Sequence, residues 1–296
     1  MMLRKMFVLV NSLVLAVSMA SAADTAPARP NLSAADIVSK NIAARGGLQA
    51  WRAVQTMSME GKLGAGGNQR APLPMPIPGK GDAKLQVPAR PKDEVQLPFV
   101  MKMERPRKVR FELQFHGQTA VQVFDGSNGW KLRPYLNRKD VEPFSSDELK
   151  AASLQPDLDG PLVDYAAKGT QVDLEGIEKV EDRDAYKLKL TTKTGHTLHV
   201  WIDAQTFLES KIEGQPRRLD GKQHPVEIYY RDFRPVSGLQ VPFTLETKVL
   251  PVDTGSKVKE LPIPSEKIVI DKVVVNPKLD ASLFLKPNVE SASIHN

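Results

Sequence analysis

The stretch Leu198-His199-Val200-Trp201-Ile202-Asp203, followed after a short turn by Phe207-Leu208-Glu209-Ser210-Lys211-Ile212, decides the fold. Leu198, Val200 and Ile202 fall on one side of an extended chain and His199 and Trp201 on the other, the period-two signature of a strand. Asp203 ends the strand. Its short carboxylate can bond the backbone two residues on, which accounts for it without a functional role. Further on, Arg231-Asp232-Phe233-Arg234-Pro235-Val236-Ser237-Gly238-Leu239-Gln240-Val241-Pro242-Phe243 reads as strand, then a turn over residues 235–242, then strand. The whole stretch is an antiparallel meander, and nothing in it resembles an active site.

The same alternation recurs on both sides of it. Val109, Phe111, Leu113 and Phe115 alternate with Arg110, Glu112, Gln114 and His116. Residues 119–124 and 130–133 are strands joined by Asp125-Gly126-Ser127-Asn128-Gly129, whose Asp-Gly and Asn-Gly steps supply the positive φ of a tight hairpin turn. Tyr186, Leu188 and Leu190; Val226, Ile228 and Tyr230; Phe243 and Leu245; and Ile268 and Ile270 each mark one face of a further strand. So many period-two segments predict an antiparallel sheet with one packed and one wetter face.

Helices are few. Ser33 is positioned as the N-cap of a helix reaching about Arg45, with Ile37, Val38 and Ile42 on one face and Gly46-Gly47 as its stop. Residues 48–54 add a helical turn anchored by Trp51. Ser146, ahead of Asp147-Glu148-Leu149, marks a second start, and residues 161–168 predict another short helix. Near the end, Leu283 and Phe284 are expected to dock on the sheet as a short helical cap. Residues 64–97 differ from everything else: Leu73-Pro74-Met75-Pro76-Ile77-Pro78 cannot be central strand, because each proline removes a ladder donor. They predict a long surface insertion.

The first residues read as a targeting segment. Arg4 and Lys5 precede an apolar run, and Ala20-Ser21-Ala22 is a small-residue cleavage site, predicting a signal peptide over 1–22 cut after Ala22. Residues 23–32 follow as a disordered leader, 33–288 as one domain, and 289–296 as a frayed end. This signal predicts an exported protein. The chain has no cysteine, which removes disulfides, a thiolate nucleophile and thiolate-ligated zinc. Its formal charge is +6, from 41 Lys and Arg against 35 Asp and Glu, and the excess is dispersed rather than gathered in the stripe that nucleic acid requires. No nucleic-acid partner is expected.

Motifs for chemistry are missing. His196 and His199 stand three apart in a strand and point to opposite faces, so they cannot share a metal. There is no G-x-S-x-G elbow, phosphate loop or dinucleotide fingerprint. The carboxylates at Glu181, Asp182 and Asp184 sit in a charged turn. We therefore expect no catalytic residues, no metal and no cofactor. A wide curved sheet with few helices leaves part of its apolar face uncovered, and an apolar hollow of that kind suits lipid.

Four passages carry a resemblance to a known family: Asp36-Ile37-Val38 with Ala44-Arg45-Gly46-Gly47 and Trp51; Phe124-Asp125-Gly126-Ser127-Asn128-Gly129-Trp130; Val200-Trp201-Ile202-Asp203-Ala204-Gln205-Thr206; and Tyr230-Arg231-Asp232-Phe233-Arg234 with Gly238-Leu239-Gln240-Val241-Pro242. In order and spacing these resemble the outer-membrane lipoprotein-sorting proteins, the LolA/LolB-like superfamily, and the soluble carrier in particular. The resemblance implies an α+β fold: a large curved antiparallel sheet forming an unclosed β-barrel, with a few short helices as lid. It implies a non-enzymatic carrier or sensor of lipoprotein acyl chains or other lipid in a periplasm; a monomer is expected. The cavity wall is expected from Val109, Phe111, Leu113, Phe115, Leu188, Leu190, Leu198, Val200, Ile202, Ile228, Tyr230, Phe243 and Leu245. Two other readings stand beside it: an envelope protein-interaction module that uses the proline-rich 64–97 loop, and an envelope hydrolase.

Overall fold

Ser33 caps helix α1 (Ala34–Ala44). Its hydroxyl accepts from the Asp36 N–H at 3.1 Å, and the Asp36 carboxylate accepts from the Ser33 N–H at 3.0 Å, a capping box that satisfies two donors otherwise orphaned at a helix start. Ile37, Val38 and Asn41 are buried along one stripe. Burying each of the two aliphatic side chains is worth roughly 1.5–3 kcal/mol. A second short helix, α2 (Leu48–Ala53), buries Trp51. The protein is seen in a computed structural model that describes residues 31–66, 75–76, 84–85, 94–134, 138–155, 157–219, 221–252 and 263–288. The expected signal segment 1–22, residues 23–30 of the leader, residues 289–296 and most of the 64–97 insertion lie outside the described residues.

The strands are β1 (Thr56–Gly66), β2 (Met75–Pro76), β3 (Lys84–Leu85), β4 (Glu94–Glu104), β5 (Lys108–Phe115), β6 (Gln118–Phe124), β7 (Gly129–Arg133) and β8 (Arg138–Pro143). After helix α3 (Ser146–Leu154) come β9 (Gln171–Val180), β10 (Arg183–Thr191), β11 (Thr197–Asp203), β12 (Glu209–Leu219), β13 (Lys222–Val236), β14 (Leu239–Val249) and β15 (Glu266–Val275). Thirteen of them form one sheet in the order β8-β7-β6-β5-β4-β1-β15-β14-β13-β12-β11-β10-β9, while β2 and β3 pair separately. Every neighbouring pair is antiparallel, and β1 joins the two meanders: Met57 pairs with Met103 of β4 on one side and Val275 of β15 on the other. Strands β8 and β9 end the order without meeting, so the sheet is an unclosed barrel. Among the described residues three short α-helices and one 3-10 turn, Ala281–Phe284, accompany it. Among the described residues no helix is long and apolar enough to cross a membrane.

The inner face carries two apolar clusters. One gathers Leu188, Leu190, Val200, Ile202 and Ile212 beneath Ile37 and Val38 of α1. The other gathers Met57, Phe99, Val241, Phe243 and Ile270 beneath Trp51 and Val54. Leu162 plugs the first and Val163 the second, and both are fully buried. The alternation in β11 is thereby resolved: Leu198, Val200 and Ile202 face inward, and His199 and Trp201 face outward. Trp201 is covered on that outer side by Lys211, whose ammonium lies 3.9 Å from the ring centroid, and its indole N–H donates to Glu178 at 2.9 Å.

The structure corrects four expectations. Residues 64–66 and 94–97, assigned to the insertion, are strand. The β1–β4 ladder runs without a break from Thr56↔Glu104 to Gly66↔Glu94. Pro98 is tolerated there because it lies beyond Phe99↔Leu113, the last pair of β4 with β5. Residues 161–168 are turns rather than a helix; Asp164 sits at φ +52° and Gly160 at φ +82°, values a right-handed helix cannot hold. The turn predicted over 235–242 is much tighter. Pro235 pairs with Gln240 and Val236 with Leu239, leaving Ser237 at φ +50° and Gly238 at φ +81° as a two-residue hairpin turn with both φ values positive. Finally, α3 is capped one residue earlier than expected, by Ser145 with Glu148 at the third helical position.

A lidded cleft as candidate functional site

Helix α3 starts from a capping box. Ser145 Oγ accepts from the Glu148 N–H at 3.3 Å, and the Glu148 carboxylate accepts from the Ser145 N–H at 2.7 Å. A helix on a core buries an apolar stripe, yet α3 buries none of its residues. It is held at its ends instead. Lys131 of β7 donates to both carboxylate oxygens of Glu148 in the first turn. Arg107, in the turn between β4 and β5, donates through Nη1 to the Ser153 carbonyl of the last turn at 3.0 Å, where a cation also suits the helix dipole. Just before α3, the Phe144 N–H donates to the Gly129 carbonyl at 2.8 Å. A methyl group on Gly129 would overlap the Phe144 ring, so only glycine fits beneath it.

Between these tethers lies a cleft of about 350 Å³. Its floor is the inner face of the sheet: Met103 of β4, Val109 and Phe111 of β5, and Gln122 and Phe124 of β6. The roof is Ala151 and Ala152 of α3, and the ends are Phe144 and Leu158. The register explains the floor, since Val109 pairs with Phe124 and Phe111 with Gln122, so all four share one face. The alanines explain the gap, because two methyl side chains cannot reach the sheet beneath them. Arg107, Lys108, Glu148, Gln155 and Asp157 line the margin of the cleft as its charged and polar groups.

The electrostatics divide those groups. Burial alone would raise the Glu148 carboxyl, but the bonds from Lys131 and Ser145 outweigh it and hold the group below the usual carboxylate range. Asp157 is paired with Arg105 at 3.3 Å. Arg105 is fully occupied: it donates to the carbonyls of Val54 (2.7 Å) and Trp51 (3.3 Å) and to Asp159 (2.8 Å) as well. Asp159 is 2 % exposed and also receives the Lys168 ammonium at 2.8 Å. This network fixes residues 157–159, and with them Leu158, against the end of the cleft. Lys108 donates to Glu104 at 2.6 Å and sits over the Phe284 ring.

Of the thirteen side chains expected from sequence, Val109 and Phe111 line this cleft. Phe111, Leu113 and Leu245 pack around the cluster that holds Phe243, and Phe111 stacks on Phe99 at 5.7 Å. Leu188, Leu190, Leu198, Val200, Ile202, Ile228 and Tyr230 belong to the cluster filled by α1. Phe115 is half-buried at the end of β5. The residues that sequence reasoning missed are Met103, Phe124, Phe144, Ala151, Ala152 and Leu158. A signal for the roof was present in Ser145–Leu154: a well-capped helix whose centre is Ala151-Ala152 has no stripe with which to join a core. Among the described residues, no three His, Cys, Asp or Glu side chains converge where a metal ion could be held.

An open antiparallel sheet, part filled by core helices and part bridged by a helix tethered at its ends, defines an unclosed half-barrel with a lidded apolar cleft. Several solved structures are similar to the chain. A LolA superfamily protein from Nitrosomonas europaea matches at 14 % identity and a TM-score of 0.48, over 86 % of this chain and 98 % of its own. A DUF1329 family protein from Desulfovibrio piger matches at 11 % identity and a TM-score of 0.50, over 86 % and 97 %. A domain described as an outer membrane lipoprotein-sorting protein from Vibrio parahaemolyticus matches at 12 % and 0.48, over 84 % and 94 %. The Desulfovibrio match shows a shared fold, and identities this low carry nothing past the fold. No family model and no curated protein sequence matches this chain.

Proposed function

We propose that this chain is an exported periplasmic protein that binds lipid or lipoprotein acyl chains, without enzymatic activity, in the cleft beneath α3. One observation carries the reading. A helix that buries none of its own side chains spans an apolar hollow of about 350 Å³, inside the roughly 300–1,000 Å³ range of small-molecule sites. An apolar floor with polar groups at its margin suits a chain that lies inside and a head that stays wet. The basic, apolar and small-residue pattern of residues 1–22 supports export.

The same cleft offers little for catalysis. Its carboxylates, Glu148 and Asp157, are each held by a cation, and its lining includes no histidine, serine or threonine. Native mass spectrometry of the purified chain, with and without added fatty acid, tests the proposal. Retention of one acyl ligand per chain is expected, and failure to take up any acyl compound overturns it.

A further inference from the structure

Two cations line the cleft, Arg107 and Lys108; Lys108 is paired with Glu104 at 2.6 Å, whereas Arg107 has no carboxylate partner among the described residues. The Arg107 Nη1 donates to the Ser153 carbonyl, and among the described residues no other hydrogen bond or ion pair engages the guanidinium. A guanidinium has five N–H donors, so most of its capacity is unused. Arg105, two residues away, spends its donors on four partners. The cleft's two carboxylates are neutralised from outside the lining, Glu148 by Lys131 and Asp157 by Arg105. The net charge presented to an occupant is therefore positive, and it sits at Arg107, an exposed residue of the β4–β5 turn at one end of the apolar floor.

Volume limits the occupant from the other side. At about 350 Å³ the cleft lies near the bottom of the small-molecule range, room for one slender chain rather than several. The geometry points to a single-chain amphiphile with an anionic head as the ligand, its chain over Phe111, Phe124 and Met103 and its head on the free donors of Arg107. This rests on the acyl-binding reading above and adds the head-group and the chain number. Guanidinium binds carboxylate and phosphate alike through paired N–H donors, so either head meets the chemistry.

Isothermal titration of the whole protein with dodecanoate, dodecyl phosphate and dodecan-1-ol tests this, with Arg107→Gln and Arg107→Lys beside the native chain. Both anions are expected to bind one per chain. Arg107→Gln should weaken them by about tenfold, the scale of a lost charge-assisted hydrogen bond, and leave dodecan-1-ol unchanged. Arg107→Lys should recover part of the loss, since it keeps the charge but not the fork. The tighter of the two anions identifies the head. Unchanged dodecan-1-ol binding also reports that the variant is folded. Equal effects of Arg107→Gln on all three probes, or none on the anions, overturn the head-group assignment and leave acyl binding standing. Tight one-to-one uptake of dioleoyl phosphatidylglycerol overturns the single-chain limit. If no probe binds the native chain, the acyl reading itself falls.

Discussion

Lys131 of β7 and Glu148 of α3 form the ion pair that ties the start of the lid helix to the sheet. Glu148 is 40 % exposed in this pair and Lys131 12 %, so solvent screening limits its worth to about 0–1 kcal/mol. That is little for the stability of the whole chain, but α3 has no buried side chain to hold it otherwise. Glu148 titrates below its unfolded value. The pair's contribution is therefore complete above the unfolded carboxylate range, about pH 4.3, and lost as pH falls through the lower folded value. Lys131→Gln should speed hydrogen exchange of the α3 amides up to about fivefold at neutral pH and leave the urea midpoint nearly unchanged. Acidification of the native chain below about pH 4 should act the same way after correction for intrinsic rates. Exchange in α3 that matches the native chain in both tests would remove the lid description.

Filling the cleft should separate binding from stability. Ala151 forms part of the roof and points at open space rather than a packed neighbour. Ala151→Phe should occupy the cleft and reduce acyl uptake by about tenfold or more, with stability shifted by less than about 0.5 kcal/mol, as for surface sites. Leu188→Ala provides the contrast. Leu188 is fully buried under α1, and its truncation should cost about 2–5 kcal/mol while the cleft keeps its shape. Titration with dodecanoate beside urea melts of both variants measures the two effects. A destabilised Ala151→Phe that still binds acyl chains would contradict the cleft as the site.

Much of this architecture was legible in local pattern. Ser33 with Asp36, the alternation of Val109 to Phe115, and Asp125 to Gly129 between β6 and β7 each announce an element through its own chemistry. Register was less legible. The residues of 94–97 that pair with β1 were hidden by proline and glycine composition, and only the long ladder with residues 63–66 makes them strand. The site was least legible, because it is a gap. Alternation assigns Val200 and Phe111 alike to the inner face, and only the placement of α1 over the first and α3 over the second decides that one is core and the other lines a cleft. The wiring of Arg105 to Asp157 and Asp159 across more than fifty positions leaves no local trace at all.

Asp159 anchors the end of the cleft, and its loss should be felt globally. It is 2 % exposed and receives both Arg105 and Lys168 at 2.8 Å. Removing one charge from a buried network leaves the partners uncompensated, at a cost of about 3–5 kcal/mol. Asp159→Asn conserves the shape and isolates the charge, so urea denaturation should show most of that loss. Because Leu158 is carried on the same segment, acyl uptake should weaken in the variant even under conditions where it is folded. A stability change under about 1 kcal/mol would place this network among ordinary surface pairs.

Asp203, by contrast, does in the structure what its place at the end of a strand foretold. Its Oδ1 accepts from the N–H groups of Gln205 at 3.0 Å and Thr206 at 2.7 Å, from the Thr206 hydroxyl at 2.9 Å and from Arg183 at 2.8 Å. Burial alone would raise the carboxyl, but these bonds together hold it below the usual range. The sign follows: its contribution is present above the unfolded value of about 3.9 and is lost as pH falls through the folded one. Asp203→Ala leaves two turn N–H groups without an acceptor and should cost about 1–3 kcal/mol. The pH dependence of that difference is the sharper measurement. The gap between native and Asp203→Ala stabilities should be widest near neutral pH and should close as the pH drops through the acid range. A gap independent of pH would mean that the carboxylate charge contributes nothing to it.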